Sequence, residues 1–147
     1  MPGSIPSQLI GLSLAAALVA TAAPASALIP AQGPLNLTCY GEVAIRQAGK
    51  TFTFDAGTPG KPSYGHIVLR LTASDARIQL PQGFRPNAKD DGWYRIKYLK
   101  ASDGDIIGNA IVSFIDKPFF RVDRVSGRID VSGLSGTFSG ECRKADR

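Results

Sequence analysis

The side chains best suited to chemistry in this 147-residue sequence are two thiols, Cys39 and Cys142, and one imidazole, His66. A lone histidine could be the general base for a serine or threonine nucleophile, which is inert without one. The G-x-S-x-G elbow that would present such a nucleophile is missing from the sequence. One histidine and two cysteines expected in a disulfide also leave no nitrogen and sulfur set for zinc. The sequence therefore predicts a non-enzymatic protein without catalytic residues, metal or cofactor.

Both cysteines lie on the inward side of predicted strands. Apolar and polar residues alternate from Leu35 to Ile45, and this period of two places Cys39 among the apolar side chains. Phe138 shares the inward parity of Cys142 near the other end of the chain. Because two cysteines allow only one pairing, we expect a disulfide between them. It would close a loop of about 100 residues, which is worth up to about 4.7 kcal/mol of stability.

Residues 1–27 have the composition of a secretory signal. They contain no Asp, Glu, Lys or Arg, and an apolar run at 9–23 is followed by the small-x-small sequence Ala25-Ser26-Ala27. The run is shorter than the ~20 residues that a helix needs to cross a bilayer. We therefore expect a cleaved signal peptide at 1–27 and a single periplasmic or secreted β domain at 28–147, which does not span a membrane after cleavage. The alternative is that the segment stays attached as a weak anchor.

The domain at 28–147 is predicted to be all-β. Short runs rich in Val, Ile, Phe, Tyr and Thr alternate with turn residues, and no long stretch has a helical period. A single antiparallel meander of about eight or nine strands would form a small closed barrel or a tight sandwich. The disulfide favours the barrel, because it joins the first and last strands as closure requires. The predicted strands are 35–45, 51–55, 66–73, 77–80, 93–100, 106–115, 119–124, 128–131 and 137–143.

Large side chains are abundant enough to fill such a barrel. An eight-stranded barrel has an interior just wide enough for its own side chains. A filled core is therefore expected rather than an internal ligand cavity. The side chains predicted to fill it are those of Phe52, Phe54, Tyr94, Tyr98, Phe114, Phe120 and Phe138.

The net charge of +5 raises the question of an acidic partner. In the basic, aromatic strand 93–100, alternation separates Tyr94 and Tyr98 from Arg95 and Lys97. A single-stranded nucleic acid site needs aromatic rings on the same face as the cations, so we expect no nucleic-acid partner. Attraction to an acidic component of the cell envelope is one use of the charge, and solubility alone is the other.

The longest irregular segment, 81–92, marks a candidate ligand site. Long ordered loops on rigid scaffolds often carry function, and this one leads directly into the only tryptophan. An aromatic ring flanked by cations could hold an amphipathic anion. The alternative is that the loop and the tryptophan only cap one end of the barrel. The residues of this possible ligand site are Phe84, Arg85, Trp93, Arg95 and Lys97.

Three short segments resemble a group of small uncharacterised exported proteins of Gram-negative bacteria. They are Thr38-Cys39-Tyr40-Gly41, the stretch 120–127 (FRVDRVSG) and Ser139-Gly140-Glu141-Cys142. In such proteins an aromatic-x-h-[ND]-R-x-[ST]-G hairpin precedes a terminal G-x-C. The resemblance implies a periplasmic or secreted β domain and carries no known activity.

These observations favour an exported structural or interaction protein of the cell envelope. A basic face would meet its acidic partner. The alternative is a small barrel that binds an apolar or amphipathic anionic ligand near Trp93, since small barrels hold such sites at their mouths.

Overall fold

A computed structural model describes residues 34–55, 65–87 and 89–145. The predicted signal peptide at 1–27 and its cleavage site lie outside these residues. The described chain is all-β, as predicted, with one short 3-10 turn at Gln82–Phe84. Its nine strands are β1 (Leu35–Gln47), β2 (Lys50–Asp55), β3 (Ile67–Leu71), β4 (Ala76–Gln79), β5 (Trp93–Ala101), β6 (Asp105–Ala110), β7 (Phe119–Asp123), β8 (Arg128–Ser132) and β9 (Gly136–Lys144).

The strands form a closed antiparallel barrel rather than a sandwich. From β3 to β9 each strand pairs with the next, and β1 pairs with both β3 and β9 to complete an eight-stranded ring. The remaining strand, β2, pairs with the second half of β1. Closure leaves each barrel strand hydrogen-bonded on both sides, which removes the free edges that promote aggregation.

The seam between β1 and β9 holds the disulfide. Cys39 and Cys142 are directly opposite, with their Cα atoms 3.9 Å apart, and their sulfurs are bonded. Gly41 faces Gly140 two residues further along, where an added Cβ on Gly41 would lie 2.1 Å from the carbonyl oxygen of Ser139. The two backbones therefore approach closely enough to exclude any side chain. The predicted disulfide is confirmed, and it fixes the strand pair that closes the barrel.

The interior of the barrel is packed with the inward-facing side chains of every barrel strand. The 3-10 turn at Gln82–Phe84 adds the ring of Phe84, which is buried at one end. Among the predicted core aromatics, Tyr94, Phe120 and Phe138 are buried in this cluster. Its other largest members are Leu37, Ile67, Leu69, Ile78, Leu80, Ile106 and Ile129.

Three aromatic residues predicted to fill the core are instead exposed. Phe52 lies on β2, beyond the ring of eight strands, and is 43% exposed. Phe114 belongs to a segment predicted to continue β6 to residue 115, but the strand ends at Ala110. The amide of Ala110 donates to the carbonyl of Pro118 and that of Ile111 to the carbonyl of Arg95, and residues 111–118 between β6 and β7 form a loop. The prediction of strand to residue 115 was therefore wrong.

Tyr98 is exposed because β5 contains a bulge. Between the pairs Lys97–Asn109 and Lys100–Ile107, β5 has one residue more than β6. Tyr98 takes up the excess with a φ of 55°, in the left-handed region that is unusual for a bulky residue. The inside–outside alternation is shifted at this point, which is why the sequence pattern assigned Tyr98 to the wrong face.

Candidate binding surface

The outer face of β3, β4 and β5 carries a row of arginines. Arg70 is directly opposite Arg77, and Arg77 is directly opposite Arg95. Residues opposed in this way have Cβ atoms about 4.5–5.5 Å apart. All three are exposed, and Arg77 is balanced by Asp75, 2.9 Å away. Among the described residues, Arg70 and Arg95 form no ion pair.

The opposite wall of the barrel arranges its arginines differently. Arg121 on β7 is opposite Asp130 on β8, and Arg128 on β8 is opposite Glu141 on β9. Arg128 also approaches Asp130 within 3.3 Å along its own strand. The chain therefore places acids against arginines on β7–β9 and arginines against arginines on β3–β5. This difference makes the β3–β5 wall the basic face of the molecule.

Trp93 begins the same face and is stacked by an arginine. The guanidinium of Arg70 lies 4.7 Å from the centre of the Trp93 ring. Trp93 is half-buried, and Arg95 and Lys97 follow it on the outward side of β5. The alternation of β5 predicted these three correctly as one face. The candidate site predicted from the sequence did not include Arg70 and Arg77. These two arginines are paired across the turn between β3 and β4, and both side chains lie on the outer face of the barrel. We call the set Arg70, Arg77, Trp93, Arg95 and Lys97 the basic face.

The other two predicted site residues lie elsewhere. Phe84 is buried in the core at one end of the barrel. Arg85 points its guanidinium back into its own loop, where Nε donates to the carbonyl of Leu80 at 3.1 Å and Nη1 to that of Asp90 at 3.0 Å. The structure thus separates Phe84 and Arg85 from the Trp93 face. Phe84 packs at the barrel end, as the capping alternative predicts, whereas Trp93 lies on the outer wall, contrary to that alternative.

A buried phenol helps to hold that loop in place. The hydroxyl of Tyr94 donates to Oδ2 of Asp90 at 3.0 Å. Burial raises the pKa of Tyr94 above its usual value, and the hydrogen bond and the negative charge of Asp90 raise it further. The phenol is therefore a neutral donor throughout the ordinary pH range, and its role is to position the loop.

A cleft of about 640 Å³ lies between this loop and the β1–β2 hairpin. Its apolar part comes from Ile45, Phe52 and Phe54, and its cationic part from Arg46 and Arg85. The volume falls within the range of small-molecule sites. The Arg85 guanidinium is bonded to its own loop, which leaves Arg46 as the cation available to an anion in the cleft. An apolar wall next to a guanidinium is the chemistry expected for an amphipathic anion, although the cleft is at the β2 side of the loop rather than beside Trp93.

The remaining chemistry of the described residues is sparse. His66 is exposed, as predicted, and its ring centre lies 5.5 Å from that of Tyr40. Within 34–55, 65–87 and 89–145, no three His, Cys, Asp or Glu side chains come together as metal ligands. The same residues include no helix with the length and apolar character to cross a bilayer.

Comparison with known proteins adds no assignment to this surface. No protein-family model, curated protein sequence or solved structure matches the chain.

Proposed function

We propose that this protein is a non-enzymatic interaction protein of the cell envelope that binds an acidic partner through the basic face. The observation that carries the proposal is the row Arg70–Arg77–Arg95, in which like charges are directly opposed across two strand pairs. Like charges in that position destabilise a sheet by a few tenths of a kcal/mol to about 1 kcal/mol per pair. Asp75 offsets part of this repulsion at Arg77, and an anionic partner relieves the rest, so the row costs stability in the free protein and favours the complex.

The location in the envelope is part of the same proposal. It rests on the signal-like residues 1–27 and on the Cys39–Cys142 bond, since disulfides persist in oxidising compartments such as the periplasm. Anionic polymers and lipid headgroups are the abundant acids of a cell surface. An exposed row of guanidinium groups suits them, because each can hold a phosphate or carboxylate with two hydrogen bonds.

Binding to dextran sulfate at a series of salt concentrations tests the proposal. The double variant Arg70→Gln/Arg95→Gln removes two unpaired cations of the basic face. Its matched control, Arg121→Gln/Arg128→Gln, removes the same charge from the wall where arginines oppose acids. We expect the first variant to lower the salt slope of binding by about one per lost contact and the control to bind nearly as the wild type. Equal losses in the two variants would show that net charge, and not this face, binds the polymer.

The cleft between the β1–β2 hairpin and the loop supports a second candidate function, the binding of an amphipathic anion. The specific observation is that the Phe52 ring lines the same cleft as the side chains of Arg46 and Arg85. Palmitate is a suitable probe, with binding followed by native mass spectrometry. Phe52→Ser should weaken its binding, whereas Phe119→Ser, at a phenylalanine of the same 43% exposure on β7, should not. Palmitate binding that is insensitive to Phe52→Ser would exclude this site.

A further inference from the structure

Three large apolar side chains project from the molecule beside the basic face. Phe114 is 91% exposed, Ile115 is 77% exposed and Tyr98 is 76% exposed. Tyr98 and Phe114 line one shallow depression with Lys97 and Lys117, and Ile115 follows Phe114 at the turn of the loop 111–118. We call Tyr98, Phe114 and Ile115 the apolar tip. Single exposed apolar residues are ordinary, but a cluster of large ones marks an interaction site.

The loop that carries the tip is held rigidly by a buried carboxylate. The amide of Ser113 donates to the carbonyl of Asp116, and the amide of Asp116 donates to the hydroxyl of Ser113. The side chain of Asp116 is buried and accepts hydrogen bonds from the amide of Leu134 and the hydroxyl of Ser135. Because the base of the turn is fixed on both sides, Phe114 and Ile115 are kept away from the core.

The bulge in β5 keeps the third member outside as well. Tyr98 adopts a φ of 55°, a conformation that glycine occupies at far lower cost. Strained backbone of this kind is found mostly where function requires a side chain in a particular place. Here it places an aromatic ring with a polar hydroxyl at the depression that Phe114 also lines. Tyrosine is also the residue type that membrane–water interfaces favour.

Lysines surround the tip. The ammonium of Lys117 lies 5.7 Å from the centre of the Phe114 ring, and Lys97 lines the same depression. Lys100 is exposed on the other side of the bulge. The carboxylate nearest in sequence, Asp116, is buried under the loop and faces away. The apolar side chains therefore emerge from a collar of positive charge that continues along β5 into the basic face.

We propose that the apolar tip inserts into the surface of an anionic phospholipid bilayer. Phe114, Ile115 and the ring of Tyr98 would enter the boundary between headgroups and acyl chains, while the lysines bind lipid phosphates. This inference rests on the proposed function and names its acidic partner. It also assigns a role to an exposed apolar cluster that electrostatic binding alone does not explain.

The lysine collar favours a bilayer over a protein as the occupant. The buried centres of protein interfaces are poor in lysine, because its charge is costly to desolvate there. At a bilayer, long lysine side chains reach up to the headgroups while neighbouring apolar groups go deeper. Phe114 and Ile115 also project from the surface, and the charge of the surrounding lysines is complementary to anionic headgroups.

Vesicle sedimentation tests the proposal with the full chain after export. Vesicles of phosphatidylcholine containing phosphatidylglycerol should bind the wild type, and vesicles of phosphatidylcholine alone should bind it far less. Phe114→Ser and Ile115→Ser should each lower the partition coefficient roughly tenfold, as expected for keeping one large apolar side chain in water. Val125→Ser is the matched control for Ile115→Ser, since Val125 is also an exposed branched residue on a turn. It should bind as the wild type.

A second readout keeps the test independent of folding. Phe114→Trp adds a second tryptophan at the tip to Trp93, and brominated lipids should quench more emission in this variant than in the wild type if the tip enters the bilayer. Circular dichroism and dextran sulfate binding confirm that each variant is folded and that the basic face still works. If both serine variants still bind dextran sulfate and bind vesicles as well as the wild type, the apolar tip does not insert into the bilayer, and the proposed function still stands. Loss of dextran sulfate binding in Arg70→Gln/Arg95→Gln, with no vesicle binding by the wild type, would lead to the same conclusion. A wild type that binds neither probe would remove both.

Discussion

Replacement of Tyr98 by glycine tests whether β5 keeps a costly conformation for the sake of an exposed side chain. A residue with a Cβ loses about 1–2 kcal/mol in the left-handed region, and Tyr98 has a φ of 55° there. Glycine escapes that cost but gives up about 0.5–1 kcal/mol through its greater freedom in the unfolded chain. The ring is mostly exposed, so its removal loses little packing. We expect Tyr98→Gly to raise the free energy of unfolding by about 0.5–1 kcal/mol.

Tyr98→Ala is the control that separates backbone from side chain. Alanine removes the same ring but keeps the left-handed penalty, so its stability should stay within about 0.5 kcal/mol of the wild type. Thermal unfolding should place the glycine variant about 2–4 °C above the wild type, because about 1 kcal/mol moves a domain of this size by roughly 4 °C. Both variants should bind anionic vesicles more weakly. If glycine is no more stable than alanine, or if it binds vesicles fully, the bulge is not a stability cost borne for binding.

Three further predictions concern the barrel itself. Reduction of the Cys39–Cys142 bond should lower the melting temperature by roughly 15 °C or more, since a loop of about 100 residues is worth up to about 4.7 kcal/mol; an unchanged melting temperature under reductant would contradict this. Ala48→Asn should stabilise the β1–β2 hairpin by up to about 1 kcal/mol in urea unfolding, because Ala48 and Gly49 both have positive φ and Asn-Gly is the favoured pair for such a turn; Gln47→Asn, outside the turn centre, should not. Hydrogen bonds from the amides of Ser126 and Val125 lower the pKa of the Asp123 carboxyl. The contribution of Asp123 to folding stability is therefore complete above the ordinary pKa of 3.8 and is lost as the pH falls through the lowered pKa. Asp123→Asn should make the loss of stability in acid less steep, and an unchanged acid unfolding profile would exclude this stabilising role of Asp123.

The barrel was predictable because its determinants are local and periodic. Alternation from Leu35 to Ile45 identified β1 and the inward side of Cys39, and the same parity at Phe138 identified that of Cys142. A single possible disulfide then brought the chain ends together, which selects a ring over an open sheet. The predicted strand boundaries differ from the observed ones mainly at turns, where hydrogen bonds and not side-chain periodicity decide the end.

The basic face was only half predictable, because it depends on register. The outward parity of Arg70 follows from the alternation of β3, but the opposition of Arg70 to Arg77 depends on where the chain turns between them. The opposition of Arg77 to Arg95 spans the whole loop at 81–92, and no local pattern determines that alignment. The sequence correctly predicted an irregular loop at 81–92. Its side chains Phe84 and Arg85 pack at the barrel end, however, whereas the neighbouring Trp93 lies on the outer wall.

The apolar tip escaped prediction because two irregularities break the sequence pattern. The run 111–115 is rich in apolar and β-branched residues, as strands are, but Ser113 bonds to Asp116 within the loop, and the Asp116 side chain accepts from Leu134 and Ser135. At Tyr98 one extra residue reverses the parity of β5. Both irregularities expose side chains that periodicity assigns to the core. A sequence whose local pattern is consistent almost everywhere departs from it mostly at functional sites.

The stabilising disulfide and arginine–acid pairs lie on a different part of the barrel from the opposed arginines. This distribution indicates that one wall stabilises the fold and the other is available for binding. The seam of β1 and β9 carries the disulfide, and the β7–β9 wall places Arg121 and Arg128 opposite acids. The opposed arginines Arg70, Arg77 and Arg95 and the left-handed Tyr98 all lie on β3–β5. Their combined cost is a few kcal/mol at most, which is within the stabilisation expected from a disulfide closing so long a loop. A second left-handed residue, Ala48, lies in the β1–β2 hairpin, where a tight turn requires the positive φ. Tyr98 has no such turn to account for its conformation, and it lies beside the opposed arginines in a projecting apolar tip, which is the pattern expected of a surface kept for binding.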